Sequence, residues 1–164
     1  MTGGQPLWAP WRMAYIKHGK PEHQEGHCFL CAAPGHDSLV IWEGDSTFAM
    51  LNRFPYNPGH LLIAPKAHRA DFENFSADEA LELNVGLQIC LRALRETMNP
   101  QGFNVGMNLG SAAGAGVPEH LHLHIVPRWS GDNNFMPVIG ETRVLPELLE
   151  DTAARLREAI EKEG

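Results

Sequence analysis

Hydrophobic positions recur at two periods along this chain, one typical of strands and one typical of helices. Short apolar stretches bounded by turn residues predict strands at Leu39–Trp42, Thr47–Leu51 and Leu61–Ala64. Residues 102–109 and 119–128 alternate apolar with other residues, which is the period-two pattern of a half-buried strand. A short turn separates the first two strands, and a short loop separates the last two. We therefore expect the members of each pair to lie side by side.

The longest helical pattern follows a capping box, in which Ser76 is the cap and Glu79 lies three residues further on. Apolar residues then recur every three or four positions up to about Met98. Cys90 falls on this apolar stripe, so we expect it to be a buried core residue. Gly86, inside the same helix, indicates the close approach of another element or of a partner subunit.

The two ends of the chain also carry helical patterns. Leu7–Ile16 predicts a short aromatic helix, which either anchors the N-terminal arm or stacks on a base, and Leu145–Lys162 predicts a terminal helix. Taken together, the elements predict an α+β fold with about five mostly antiparallel strands and one long helix. We expect a single domain over residues 1–164, with a core at 28–129, an N-terminal arm at 1–27 and an extension at 130–164.

Composition narrows the class of protein. The 164 residues carry a net charge of −7, which argues against nucleic acid as a partner, since such proteins show a basic stripe. No stretch approaches the roughly 20 apolar residues of a membrane span, and no signal peptide is visible. The three cysteines do not suggest a disulfide framework. These features predict a cytoplasmic protein without a membrane partner.

The last predicted strand concentrates the candidate chemistry. His120, His122 and His124 alternate along it with aliphatic residues, namely Leu121, Leu123 and Ile125. Three imidazoles are therefore expected on one face, and Pro127 is expected to end the strand because it cannot donate to a ladder. Imidazoles this close suit either a nucleophile with its supports or a set of metal ligands, and a merely polar face is the weaker interpretation.

Cys28 and Cys31 form a C-x-x-C motif, which alone is ambiguous between a redox pair, half a zinc site and chance. A redox motif should open a helix after a strand, whereas a turn sequence follows here, so the pattern favours a zinc half-site. The missing ligands must then be histidines, because Cys90 lies elsewhere on the predicted long helix.

The loop at 110–116 consists of small residues, which let backbone N–H groups approach an anion closely. It is not a P-loop, because no Gly-Lys-Ser/Thr sequence follows. If the strands on either side of this loop pair, Asn108 and the histidine face line the same surface.

The sequence His120-Leu-His122-Leu-His124-Ile-Val resembles the signature of the histidine triad (HIT) superfamily of nucleotide hydrolases and transferases. Two upstream segments, at 48–53 and 58–66, resemble the first hairpin of that family. The segments Trp8-Ala-Pro-Trp11-Arg12 and 127–135 are similar to a narrower group, the bacterial diadenosine tetraphosphate phosphorylases, which are akin to galactose-1-phosphate uridylyltransferase.

The resemblance implies that His122 attacks the α-phosphate of a nucleotide and forms a covalent nucleotidyl-histidine, with His120 and His124 as its supports. Water or inorganic phosphate would then release the nucleotide. Nucleoside phosphoramidates are an alternative substrate class, and a non-catalytic zinc- or nucleotide-binding protein is an alternative of a different kind. The implied substrate-binding residues are Asn52 at the ribose, Asn108 and Arg128 at phosphate, His60 at the nucleoside, and Trp129 in the tail of the narrower group.

The sequence departs from the family pattern at Gly116, where many members carry glutamine. We expect backbone groups, Ser111 or Asn108 to replace that amide, an arrangement that suits a phosphate acceptor. The resemblance also implies a homodimer that pairs through the long helix and a sheet edge. Finally, it implies a structural zinc ion, and the four implied ligands are Cys28, Cys31, His68 and His120.

Overall fold

A single antiparallel sheet organises the computed structural model, which describes residues 28–132 and 147–163. Its five strands within those residues are β1 (Val40–Glu43), β2 (Thr47–Leu51), β3 (Leu61–Pro65), β4 (Gly102–Met107) and β5 (Leu123–Arg128). They lie in the order β1-β2-β3-β5-β4. The helices are α1 (Phe29–Ala32), α2 (Ala77–Met98) and α3 (Leu149–Glu163), and there are 3₁₀ turns at Phe72–Asn74 and Ser111–Ala113.

The predicted α+β fold with a mostly antiparallel sheet and one long helix is confirmed. β2 has the predicted bounds, β1 begins one residue later than predicted, and β3 extends one residue further, through Pro65. The two predicted neighbouring pairs, β1 with β2 and β4 with β5, are both antiparallel pairs in the structure. β3 pairs with β5, and this places the predicted histidine strand inside the sheet.

The histidine strand is shorter than predicted and is not ended by its proline. β5 begins at Leu123, which pairs with Ile63 of β3. In that register Leu121 would face Pro65, which has no N–H to donate, and the Leu121 amide bonds the Arg69 carbonyl instead at 2.7 Å. His120 and His122 therefore precede the ladder.

Pro127 lies within β5, opposite Phe103 of β4, so the prediction that it ends the strand is wrong. The carbonyl of the next residue, Arg128, accepts the Gln101 amide on the β4 side. Backbone groups of a strand alternate sides, so those of Pro127 face the β3 side. β3 does not reach this far, because its first residue, Leu61, lies opposite Ile125. A missing N–H costs no ladder bond at that position.

The long helix α2 begins and ends as predicted. Ser76 accepts the Glu79 amide, and Glu79 in turn accepts the Ser76 amide, so the capping box is complete. Cys90 is fully buried, as predicted. A Cβ on Gly86 would lie 2.7 Å from the Trp42 ring of β1. Gly86 thus marks close packing within the chain, and not contact with a partner subunit.

Helices α2 and α3 both pack against the sheet. α2 packs on β2, β3 and β5, while α3 packs on α2 and β1. The terminal helix begins at Leu149, later than the predicted Leu145, and residues 145–146 lie outside the described part of the chain. The predicted aromatic helix Leu7–Ile16, with Trp8, Trp11 and Arg12, also lies outside it. No helix among the described residues is both long and apolar enough to cross a membrane.

Candidate active site and metal cluster

The imidazole of His122 is held in one tautomer by its own backbone neighbour. Its Nδ1 lies 2.8 Å from the carbonyl oxygen of His120. A carbonyl only accepts, so Nδ1 carries the proton and Nε2 keeps its lone pair. Burial lowers the pKa of His122 below its usual value, against an opposing effect of the hydrogen bond to His120. The ring is therefore neutral at pH 7, with a bare nitrogen available to attack an electrophile.

The imidazole of His124 is fixed from behind by His60. The Tyr56 amide donates to Nδ1 of His60 at 3.0 Å, so His60 carries its proton on Nε2. That Nε2 lies 2.9 Å from Nδ1 of His124 and donates to it. His124 therefore carries its own proton on Nε2. Within the described residues this buried N–H has no hydrogen-bond partner.

The Nε2–H of His124, which has no hydrogen-bond partner among the described residues, is a neutral donor beside the His122 ring. The rings of His122 and His124 are 4.9 Å apart, edge to face. Burial, together with the nearby His122, lowers the pKa of His124 to about 4. At pH 7 this side chain can donate a hydrogen bond to a phosphate oxygen, but it contributes no positive charge.

The four predicted metal ligands converge at the other end of the histidine segment. Ligand atoms of Cys28, Cys31, His68 and His120 all lie within 4.8 Å of one another. Nδ1 of His120 is 3.3 Å from the sulfur of Cys28 and 3.4 Å from that of Cys31, and His68 Nδ1 is 3.3 Å from the Cys31 sulfur. These residues could hold a metal ion.

The geometry of this cluster fits a tetrahedral ion. Zinc bonds of about 2.3 Å to sulfur and 2.0–2.1 Å to nitrogen would place neighbouring S and N ligands about 3.5 Å apart, close to the separations found. Nε2 of His120 donates to the Pro65 carbonyl at 2.8 Å, which leaves Nδ1 unprotonated toward the cysteines. Burial, the charge of Cys28 and a hydrogen bond with it raise the pKa of Cys31 to about 11. The negative charges of two thiolates, on Cys28 and Cys31, repel each other. A bound cation would therefore be needed to keep both cysteines ionised.

A cavity of about 430 Å³ lies next to His124, along β4 and β5. Of the predicted substrate-binding residues, Asn108 and Arg128 line it.

The guanidinium of Arg128 already has protein partners. Its Nε and one Nη donate to Asp132 at 2.6 and 2.8 Å, and its other Nη donates to Asn104 at 2.8 Å. Hydrogen bonds from Arg128 outweigh desolvation and hold the pKa of Asp132 well below its usual range. The charge of Arg128 is therefore balanced within the protein.

The other predicted binding residues lie apart from this cavity. The Asn52 side chain accepts the Phe54 amide at 2.9 Å and lies 3.4 Å from Nδ1 of His60. Ser111 is exposed in a 3₁₀ turn, and Gly116 lies in the following loop. Trp129 lines a separate depression with Pro58, Thr97, Met98 and Arg155. His60 is completely buried behind His124, where it is placed to orient that ring.

Several site residues were missed by the sequence interpretation. Tyr56, Asn57 and Asn104 line the cavity, and Asp132 balances Arg128. Asn104 lies on the same predicted face as Asn108, so the alternation of β4 contained a signal for it. Tyr56 and Asn57 lie in an irregular loop, for which the hydrophobic pattern contains no positional information.

Comparison with known proteins identifies a family. A model of the HIT domain matches residues 34–131. The AP-4-A phosphorylase of Mycobacterium tuberculosis is 39% identical over 156 residues, which is 90% of this chain and 80% of that protein.

Two solved structures share the fold. A Zn-bound histidine triad family protein from Mycobacterium smegmatis superposes with a TM-score of 0.68 at 30% identity, covering 83% of this chain and 94% of that one. A hypothetical histidine triad nucleotide-binding protein from Sulfolobus tokodaii gives a TM-score of 0.68 at 27% identity, with 82% and 93% covered.

Proposed function

This chain belongs to the HIT domain family, as its histidine pattern predicted, and from that premise we propose that it is an enzyme that cleaves dinucleoside polyphosphates, with diadenosine tetraphosphate as the substrate. The similarity to the AP-4-A phosphorylase of M. tuberculosis supports this substrate class. The observation that carries the proposal is the hydrogen bond from His122 Nδ1 to the His120 carbonyl, because it directs the Nε2 lone pair away from its own backbone.

In the proposed first step, Nε2 of His122 attacks the α-phosphorus of the substrate. A nitrogen–phosphorus bond forms, the bond from phosphorus to the bridging oxygen breaks, and ATP leaves with the bond electrons. The imidazole gains positive charge as it bonds, and the His120 carbonyl stabilises the proton on Nδ1. The N–H of His124 donates to a phosphoryl oxygen, on which negative charge accumulates.

Inorganic phosphate is the proposed acceptor in the second step. A phosphate oxygen attacks the adenylyl group, the nitrogen–phosphorus bond breaks and ADP leaves. Two observations support phosphate over water. The loop that approaches His120 contains small residues, among them Gly116, and its backbone can approach an anion. The similar M. tuberculosis protein is a phosphorylase.

Product analysis tests this proposal. With diadenosine tetraphosphate and inorganic phosphate together, we expect ADP and ATP in equal amounts, and omission of phosphate should slow turnover strongly. Formation of AMP and ATP at the same rate with and without phosphate would contradict the choice of acceptor. No cleavage in either mixture would contradict enzymatic function and favour a nucleotide-binding role.

A structural zinc ion is the second part of the proposal. Cys28, Cys31, His68 and His120 would hold it, and no open ligand position is left for chemistry. Zinc would tie the short helix α1 to the residues that orient His122, since Cys31 lies in α1 and His120 belongs to both groups. The Zn-bound M. smegmatis protein supports the choice of metal.

A homodimer is the third part. β4 is one of the two edge strands of the sheet and leaves Val105 44% exposed, while α2 leaves Leu81 and Val85 64% and 41% exposed. Exposed apolar groups beside an unpaired strand edge are typical of a subunit interface. Sedimentation at micromolar concentration should give twice the chain mass of 18.2 kDa. A stable single-chain species would contradict the dimer.

A further inference from the structure

We infer that the cavity beside His124 binds the nucleoside of the departing half of a dinucleoside polyphosphate. This inference rests on the proposed function and specifies which part of the substrate the cavity recognises. His124 lines the cavity and its ring also contacts that of His122, so the cavity opens directly beside the reacting phosphate. Its volume of about 430 Å³ lies within the roughly 300–1,000 Å³ range of small-molecule sites.

The floor of the cavity is kept open by a glycine. Gly106 of β4 pairs with His124 of β5, and Asn104 pairs with Val126, so these four residues share one face of the sheet. A Cβ on Gly106 would have no heavy atom within 4 Å. The Cβ of a larger residue at 106 would therefore lie in open space on the side of the sheet that carries His124.

The chemistry of the lining suits a nucleoside better than a phosphate chain. Three carboxamides line the cavity, from Asn57, Asn104 and Asn108, and the charge of Arg128 is balanced by Asp132. Within residues 28–132 and 147–163, neither the Asn104 amide nitrogen nor the Asn57 side-chain oxygen has a hydrogen-bond partner. Carboxamides offer a donor and an acceptor together, which match the edge of a base or the hydroxyls of a ribose.

An aromatic surface completes the lining. The Tyr56 ring borders the cavity, is 38% exposed and lies nearly parallel to the His124 ring, with centroids 5.9 Å apart. Stacking on aromatic side chains is a general way to bind bases without reading their identity.

Asn52, the expected ribose residue of the attacked half, is not among the residues that line this cavity. Asn52 follows β2, whereas the cavity lies along β4 and β5, with β3 between them. The two nucleosides of the substrate extend from the scissile phosphate in different directions, so they need two sites. The cavity is placed to take the half that leaves as ATP.

Gly106→Val tests the inference with a matched pair of substrates. Diadenosine tetraphosphate and adenosine 5′-tetraphosphate contain the same α-phosphoanhydride, and only the first has a second nucleoside. Filling the cavity should lower kcat/KM for diadenosine tetraphosphate by about tenfold or more, because remote binding energy is lost. The value for adenosine tetraphosphate should fall much less, because this substrate has no second nucleoside for the new side chain to exclude. A β-branched residue suits a strand, so the variant is expected to fold.

Gly102→Val is the control, because Gly102 lies on the same strand and face, also has no atom near its Cβ, and does not line the cavity. It should change neither rate. Asn104→Ala, which removes an amide without filling space, should raise KM for diadenosine tetraphosphate only. Equal losses for both substrates, or no loss for either, in Gly106→Val would overturn the inference. Wild-type protein that cleaves neither substrate would instead reject the proposed function on which it depends.

Discussion

His122→Ala is expected to lower kcat/KM for diadenosine tetraphosphate by roughly 10⁴-fold or more, the scale of effect found when a covalent nucleophile is removed. The side chain is 6% exposed, and its Nδ1–H is committed to the His120 carbonyl. Neither of the other two triad histidines shares that arrangement, since His120 faces the cysteines and His124 is protonated on Nε2. AMP affinity, measured by calorimetry, should change little because binding uses other groups.

His36→Ala is the matched control, since His36 is exposed and lies outside the triad and the metal cluster. It should retain wild-type turnover. The mechanism would be wrong if His122→Ala, shown by circular dichroism to be folded, kept more than a small fraction of wild-type kcat.

Cys31→Ala is expected to remove zinc and to lower the melting temperature by about 10 °C. A metal that binds only the folded state adds about 4 kcal/mol when free metal is a thousandfold above Kd, and each kcal/mol shifts Tm by about 2–4 °C in a domain of this size. Metal analysis of protein purified without chelator should give about one zinc per wild-type chain and almost none in the variant. Calorimetry measures the melting temperature.

Cys90→Ala separates loss of metal from loss of a thiol. Cys90 is completely buried in the core, where burial raises the pKa of its thiol to about 12. The variant should melt at a lower temperature but keep its zinc, and a chelator should lower its melting temperature further. The same chelator should leave Cys31→Ala unchanged. Metal-free wild-type protein, or full zinc in Cys31→Ala, would refute the zinc site.

Local patterns predicted most of the fold because they act over a few residues. The capping box at Ser76 and the apolar stripe defined α2 to within its observed bounds. The short loop predicted between the last two strands made their pairing predictable, although the observed connection runs from residue 108 to residue 122. The predicted start of β5 was four residues too early. The cause is Pro65 on the neighbouring strand β3, which has no N–H to donate. Pro65 lies 58 residues from Leu123 in sequence, so a local pattern contains no sign of its effect.

The candidate site was predictable where residues lie on one strand, and less so where separate segments meet. The alternation of histidines indicated the site, but the partner of each ring depends on the pairing of β3 with β5. That pairing places His60 behind His124, whereas the sequence interpretation assigned His60 to a nucleoside pocket. The four predicted ligands do converge, and this prediction depended on family resemblance, since no local pattern links residues 28, 68 and 120.

Covalent labelling tests the central claim most directly. The protein is mixed with diadenosine tetraphosphate in the absence of inorganic phosphate, quenched within the first turnover and digested at neutral or alkaline pH, where a phosphorus–nitrogen bond survives. The account predicts one adenylyl group on the peptide that contains His122, its loss on addition of phosphate together with release of ADP, and no label in His122→Ala. Turnover without any labelled peptide, or a label that persists in His122→Ala, would contradict the account.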